Sequence, residues 1–223
     1  MIFWVSILLS IFFILKTEKS EKINKWDVFF FLSSWQIFNL RIWQNYLADS
    51  VQRSSYNIAA IILILLSFWY TQRRGIKLGI SFSKDDFLCF SKYFALLTIL
   101  IPIGLSMGFL KFHPVLEYKF ILENLAVYFL LVAPNEELIF RGIVQNLLVR
   151  FLKPWPSLLI ATALFAPIYT HLSGDGIFPN WTYVGFAAAA GLAYGHSYLK
   201  SKNILVPILL HGSVDVIRRI FLS

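Results

Sequence analysis

Residues 133–142 read APNEELIFRG. Two adjacent acids, Glu136 and Glu137, and one arginine, Arg141, interrupt an apolar run that extends over about 120–149. At the centre of a membrane helix each such charge costs on the order of 2.5–3.5 kcal/mol even on the mildest insertion scale. Pro134 lacks an amide N–H and is expected to break or restart the helix. Asn135 is then the expected N-cap, and the acids fall in a first turn that the macrodipole favours. Glu137 and Arg141 are i and i+4 and can pair along one face. Glu136 points about 100° away at 3.6 residues per turn, which leaves it to face a cavity.

The composition around this stretch excludes a soluble domain. Of 223 residues 58% are hydrophobic and 14% charged, where soluble domains carry roughly 25% charged residues. Eight candidate membrane segments lie at about 1–15, 26–47, 56–70, 87–110, 120–149, 157–170, 181–199 and 204–221. Runs such as IAAIILILLSFWY do not alternate, as a membrane β-barrel strand must. The expected fold class is all-α, a polytopic transmembrane helical bundle of about eight membrane helices. Alternate connectors are the richer in Lys and Arg, with Lys16, Lys19, Lys22 and Lys25, then Arg73, Arg74, Lys77 and Lys84, then Arg150 and Lys153, then Lys200 and Lys202. That face is expected to be cytoplasmic, with both termini outside. Met1 to Leu15 has neither a basic n-region nor an A-x-A site, so it reads as an uncleaved span. The one cysteine, Cys89, excludes an intramolecular disulfide and a cysteine-rich metal site. The net charge of +8 is scattered through connectors with no aromatic-interleaved basic stripe, which excludes nucleic acid as a partner.

Two further polar anomalies follow. His171 opens the loop HLSGDGIFPN, and His211 and Asp215 stand i and i+4 in ILVPILLHGSVDVIRRIF. A carboxylate beside an imidazole fixes its tautomer and raises its basicity. Each feature alone has a structural reading. Glu137–Arg141 can be a helix-locking ion pair, Asp215 can pair with Arg218 or Arg219, His113 and His196 fit an interface, and Arg41 and Lys92 can snorkel. Together they point to one intramembrane hydrolytic site. A proton-coupled transporter could use the same residue types, but it predicts discontinuous helices related by a repeat, and the chain shows no internal repeat.

Glu136-Glu137-x-x-x-Arg141, then a histidine at the end of an apolar helix, then His211-x-x-x-Asp215, resembles the CPBP family: the CAAX-protease and bacteriocin-processing (Abi) intramembrane proteases. Their motifs are E-E-x-x-x-R, F-x-x-x-H and H-x-x-x-N/D. The resemblance covers roughly residues 85–221. It implies a catalytic transmembrane domain at 85–223, preceded by leading transmembrane helices and a cytoplasmic connector at 1–84. The second motif departs from the pattern. F-x-x-x-H ending at His171 needs Phe where Pro167 stands, so FAPIYTH reads as that motif with two extra residues.

The resemblance implies an endopeptidase that hydrolyses a peptide bond in a membrane-associated protein or peptide, prenylated substrates included. Glu136 would be the general base and His171 would help hold the water. His211 and Asp215 would polarise the scissile carbonyl, and Glu137 and Arg141 would orient the first acid. No cofactor is favoured; zinc stays open, with Glu136, His171 and His211 as its ligands. The implied setting is multi-pass in the lipid bilayer of a bacterial-type cell membrane. A catalytically silent member, acting as an immunity or scaffold protein, is the alternative. One tension follows from the segment boundaries. At a rise of about 1.5 Å per residue, Glu136 and His211 differ in depth by about 8 Å.

Overall fold

Long apolar runs with few breakers leave the backbone no partner but itself, and they fold as helices. The computed structural model describes residues 2–18, 22–39, 50–170 and 180–222. Helices α1 (Ile2–Lys16), α2 (Lys25–Asn39) and α3 (Ser50–Arg73) are followed by α4 (Lys84–Thr98) and α5 (Leu100–Ser106). A long helical segment then covers 118–149. It is followed by α9 (Pro154–Phe165) with a 3₁₀ turn (Ala166–Tyr169), α10 (Trp181–Ser201) and α11 (Leu205–Phe221). Among the described residues there is no strand, only two isolated bridges, Gly79 with Asn203 and Phe112 with Leu222. The fold is an all-helical bundle. By length and composition one described helix, Lys84–Ser106, suffices to cross a bilayer; Trp4–Lys16, Asn57–Arg73 and Pro154–Tyr169 are apolar but shorter.

The segment 118–149 corrects two expectations. Pro134 does not break the helix, and Asn135 does not cap a new one. The backbone runs on through α6 (Tyr118–Val127), π1 (Tyr128–Val132), α7 (Ala133–Glu137), π2 (Leu138–Gln145) and α8 (Asn146–Val149). The physical reason is the wide turn directly ahead of the proline. The amide of Ala133 reaches back to the Tyr128 carbonyl, an i to i−5 bond. A π turn carries an extra residue, and it relieves the clash that a proline ring makes with the carbonyl four residues earlier. Asn135 instead turns its side-chain amide to the Leu131 carbonyl at 2.8 Å and to the Ala60 carbonyl of α3 at 3.0 Å. It is a cross-link between helices.

Two glycines set how closely α10 approaches. A Cβ on Gly195 would stand 2.3 Å from Leu158 of α9, and one on Gly191 would stand 2.9 Å from Phe165. Their carbonyls receive Gln145 Nε2 and Arg141 Nη2, each at 2.9 Å. The matched i, i+4 spacing on both sides locks α10 in register with π2.

The connector 74–83 is docked rather than free. Ile204 N–H donates to the Gly79 carbonyl at 2.9 Å, and Asn203 Nδ2 donates to the Ser81 carbonyl at 2.9 Å. A Cβ at Gly79 would lie 2.4 Å from the Lys202 carbonyl oxygen, so a side chain there would unseat the start of α11. At the other end of α11, His113 and Val115 donate their amides to Phe221 and Ile220. The helix that carries His211 and Asp215 is therefore held at both ends.

Candidate active site

Helix α11 packs against π1, α7, α4 and α10, and this contact brings His211 to the two acids of α7. Glu137 Oε1 lies 2.7 Å from His211 Nδ1 and also accepts Arg141 Nη1 at 3.0 Å. A carboxylate oxygen that already accepts from a guanidinium is an acceptor here too, so Nδ1 carries the proton. On the other side of the ring, His211 Nε2 lies 3.7 Å from Glu136 Oε2 and 3.5 Å from Asp215 Oδ2. The consecutive acids thus straddle one imidazole. Glu136 and His211 thus meet despite the difference in depth of about 8 Å expected from ideal helices.

The scaffold around this pair is aromatic. The Arg141 guanidinium lies 4.3 Å from the Phe165 ring centre and 5.6 Å from that of Tyr194. Tyr194 stacks on His211 at 4.9 Å, and Phe165 meets it edge-on at 5.9 Å. Arg141 is 1% exposed, and burial of such a cation is tolerable only when it is paired and hydrogen-bonded. Glu137 and the Gly191 carbonyl meet that condition. Asp215, at 8% exposure the most open of the acids, has Arg218 Nε 3.8 Å from its Oδ1. It therefore combines the histidine partnership with the structural pairing.

Sequence reading missed Tyr169. Its hydroxyl donates to Glu136 Oε2 at 2.7 Å and lies 3.2 Å from His211 Nε2. The signal was present in the spacing, since Tyr169 is the fourth residue after Phe165, where F-x-x-x-H puts its histidine. With the 3₁₀ turn at 166–169 the spacing needs no extra residues. His171 lies outside the described residues.

A pocket of about 800 Å³, its open mouth included, adjoins the cluster. Its walls are apolar, with Phe94, Leu97, Phe109 and Phe186 among them, and its polar end is Tyr169, His211, Asp215 and Arg218. Glu136, expected to face a cavity, is 1% exposed and does not line this one. Tyr169 and His211 stand in front of it.

Zinc needs deprotonated donors at about 2.0–2.2 Å in tetrahedral array. Nδ1 of His211 is committed to Glu137, and a phenol hydroxyl fills the space between Nε2 and Glu136. Among the described residues no cluster of three His, Cys, Asp or Glu side chains is arranged to hold an ion. Of the three ligands the resemblance implies for zinc, Glu136 and His211 are described with the Tyr169 hydroxyl between them, and His171 lies outside the described residues.

Residues 119–217, which contain every described member of this cluster except Arg218, match the family described as type II CAAX prenyl endopeptidase Rce1-like. This match supports membership of the CAAX-protease family. The match begins in α6 and ends within α11, so the family region is the helical unit that assembles the acids, Arg141, Tyr169, His211 and Asp215. It leaves out α1 to α5, although α4 supplies part of the pocket wall. Comparison with curated proteins and with solved structures gave no significant match.

Proposed function

We propose that this CAAX-protease family member is an intramembrane endopeptidase that cleaves a membrane-associated, prenylated protein or peptide. The observation that carries the reading is the acid–imidazole cluster at the polar end of an otherwise apolar pocket. An apolar pocket suits a lipidated chain, and the cluster supplies groups for hydrolysis at one end of it. Membrane embedding is supported by the outward apolar residues of the bundle. Leu8, Leu65, Phe87, Leu96, Leu130 and Trp155 are all exposed, on five different helical segments, where water would penalise them.

In the proposed reaction Glu136 acts as general base. Water oxygen bonds to the scissile carbonyl carbon while its proton passes to Glu136. His211, oriented through Nδ1 by Glu137 and flanked by Asp215, donates from Nε2 to the developing oxyanion. Collapse breaks the C–N bond, and the proton held by Glu136 goes to the leaving nitrogen. Arg141 keeps Glu137 an acceptor and so holds the Nδ1 proton of His211, which donates from Nε2 as a ring protonated at both nitrogens. None of these steps draws on a metal ion.

The test is cleavage of a panel of farnesylated and unmodified peptides by the full chain in detergent, against Glu136→Gln and His211→Ala. Glu136→Gln is expected to lose about a hundredfold or more in rate, the scale of a general base. Undiminished cleavage by that variant rejects the assignment. A chelator is expected to change nothing; loss of cleavage restored by zinc overturns the metal-free reading.

A further inference from the structure

We propose that the Tyr169 hydroxyl holds the place of the hydrolytic water, so that Tyr169 decides whether Glu136 meets water at all. This rests on Glu136 being the base. Three observations carry it. The phenol oxygen lies 2.7 Å from Glu136 Oε2 and 3.2 Å from His211 Nε2. These are the hydrogen-bond distances at which a base and an imidazole would hold a water between them. Seen from the pocket, Tyr169 and His211 are at the wall and Glu136 is behind them. The ring is also held firmly, stacked on Tyr183 at 5.4 Å and 8° and packed edge-on by Phe165 at 5.3 Å. Tyr183 lines the same pocket, so an occupant pressing there disturbs the stack that seats the phenol.

The hydrogen-bond directions are consistent with a resting site. Glu137 accepts from Nδ1, and the phenol donates its single proton to Glu136. The phenol oxygen keeps a lone pair for Nε2–H. The phenol thus bridges Glu136 and His211 directly. With the ring withdrawn, the vacated space is bounded by a carboxylate and an imidazole, the polar lining under which a cavity fills with water rather than staying dry. Hydrolysis then proceeds as above. A site that is shut for about nine-tenths of the time loses about tenfold in apparent rate.

The experiment uses the full chain in detergent and two readouts. Glu136 labelling by dicyclohexylcarbodiimide, a membrane-permeant carboxyl reagent, is followed by peptide mass spectrometry. Cleavage of the farnesylated peptide panel is followed in parallel. Tyr169→Ala is expected to label Glu136 and to cleave peptide about tenfold faster than wild type. Glu136→Gln combined with Tyr169→Ala is expected to be inert. Tyr169→Phe vacates the hydroxyl position but keeps the ring between Glu136 and the pocket, and is expected not to gain in carbodiimide labelling. Tyr169→Leu, which keeps apolar bulk but is shorter, repeats the alanine result and serves if Tyr169→Ala does not fold.

Equal labelling of Glu136 in wild type, Tyr169→Ala and Tyr169→Leu overturns the proposal. So does a loss of cleavage in both Tyr169→Phe and Tyr169→Ala, the mark of a hydroxyl that works in catalysis. Labelling that follows Tyr169 while no variant cleaves any peptide upholds the phenol's place and rejects the peptidase. Cleavage that needs Glu136 but ignores Tyr169 does the reverse.

Discussion

Among the described residues two buried clusters are built from the same residue types, and the one around His211 lines a pocket. In the leading helices, Asp27 of α2, Tyr70 of α3 and Arg74 form one. Tyr70 donates to Asp27, and Arg74 Nη2 lies 3.1 Å from the same carboxylate. Arg74 also donates to the Glu18 and Lys22 carbonyls at 2.8 Å each. One acid meets one arginine, and the rest of the guanidinium caps backbone. In the second cluster three acids, Glu136, Glu137 and Asp215, face Arg141, Arg218 and the titratable His211. Its charge balance depends on an imidazole that can gain or lose a proton, and it borders open space. A buried carboxylate–arginine–tyrosine set is therefore not itself a sign of chemistry. A surplus of acid, a titratable ring and access are what separate a site from a staple.

The sharpest way to break this comparison is to remove each arginine. Arg74→Ala and Arg141→Ala are both expected to cost about 3–5 kcal/mol, since each takes the guanidinium from a buried carboxylate; unfolding in detergent reads the loss. Only Arg141→Ala is expected to lower cleavage per folded molecule. Equal activity losses would erase the distinction between staple and site. The Glu136→Gln rate loss of about a hundredfold comes next, and it should appear with little change in unfolding midpoint.

Packing of α10 gives a smaller effect. Gly195→Ala puts a methyl into Leu158 and the side chain of Gln145, and overpacking of this kind costs about 1–3 kcal/mol. Cleavage should fall with it, because the same register seats Gly191 under Arg141. Smallest is Tyr70→Phe, which removes one hydrogen bond to Asp27 and is expected to cost about 1 kcal/mol with cleavage unchanged. Activity lost in Tyr70→Phe would mean that the two clusters are coupled.

Much of the bundle was legible along the chain. Apolar length placed the helices within a few residues: 56–70 lies inside Ser50–Arg73, and 204–221 nearly coincides with Leu205–Phe221. The Glu137–Arg141 pair followed from i, i+4 spacing alone, since a helix fixes that neighbourhood whatever surrounds it. Pro134 was misread for the complementary reason. Its cost depends on whether the preceding turn can widen, and π1 is a property of how 118–149 packs against α3 and α11. Tyr169 was passed over because a tyrosine in an apolar run reads as core. Only its packing against α7 and α11 gives its hydroxyl an acid and an imidazole.

The sequence by itself determined an all-helical chain and the acids, arginine and histidine that helical spacing could pair. Those are local outcomes, decided by hydrophobic length and by a 3.6-residue period. The tertiary structure decided the rest. It put Glu136 and Glu137 on opposite sides of one ring, set a phenol rather than open space against Glu136, and formed the pocket from helices far apart in sequence. Such contacts depend on interhelical distance and register, here set by Gly79, Gly191 and Gly195, where what matters is the side chain that is missing.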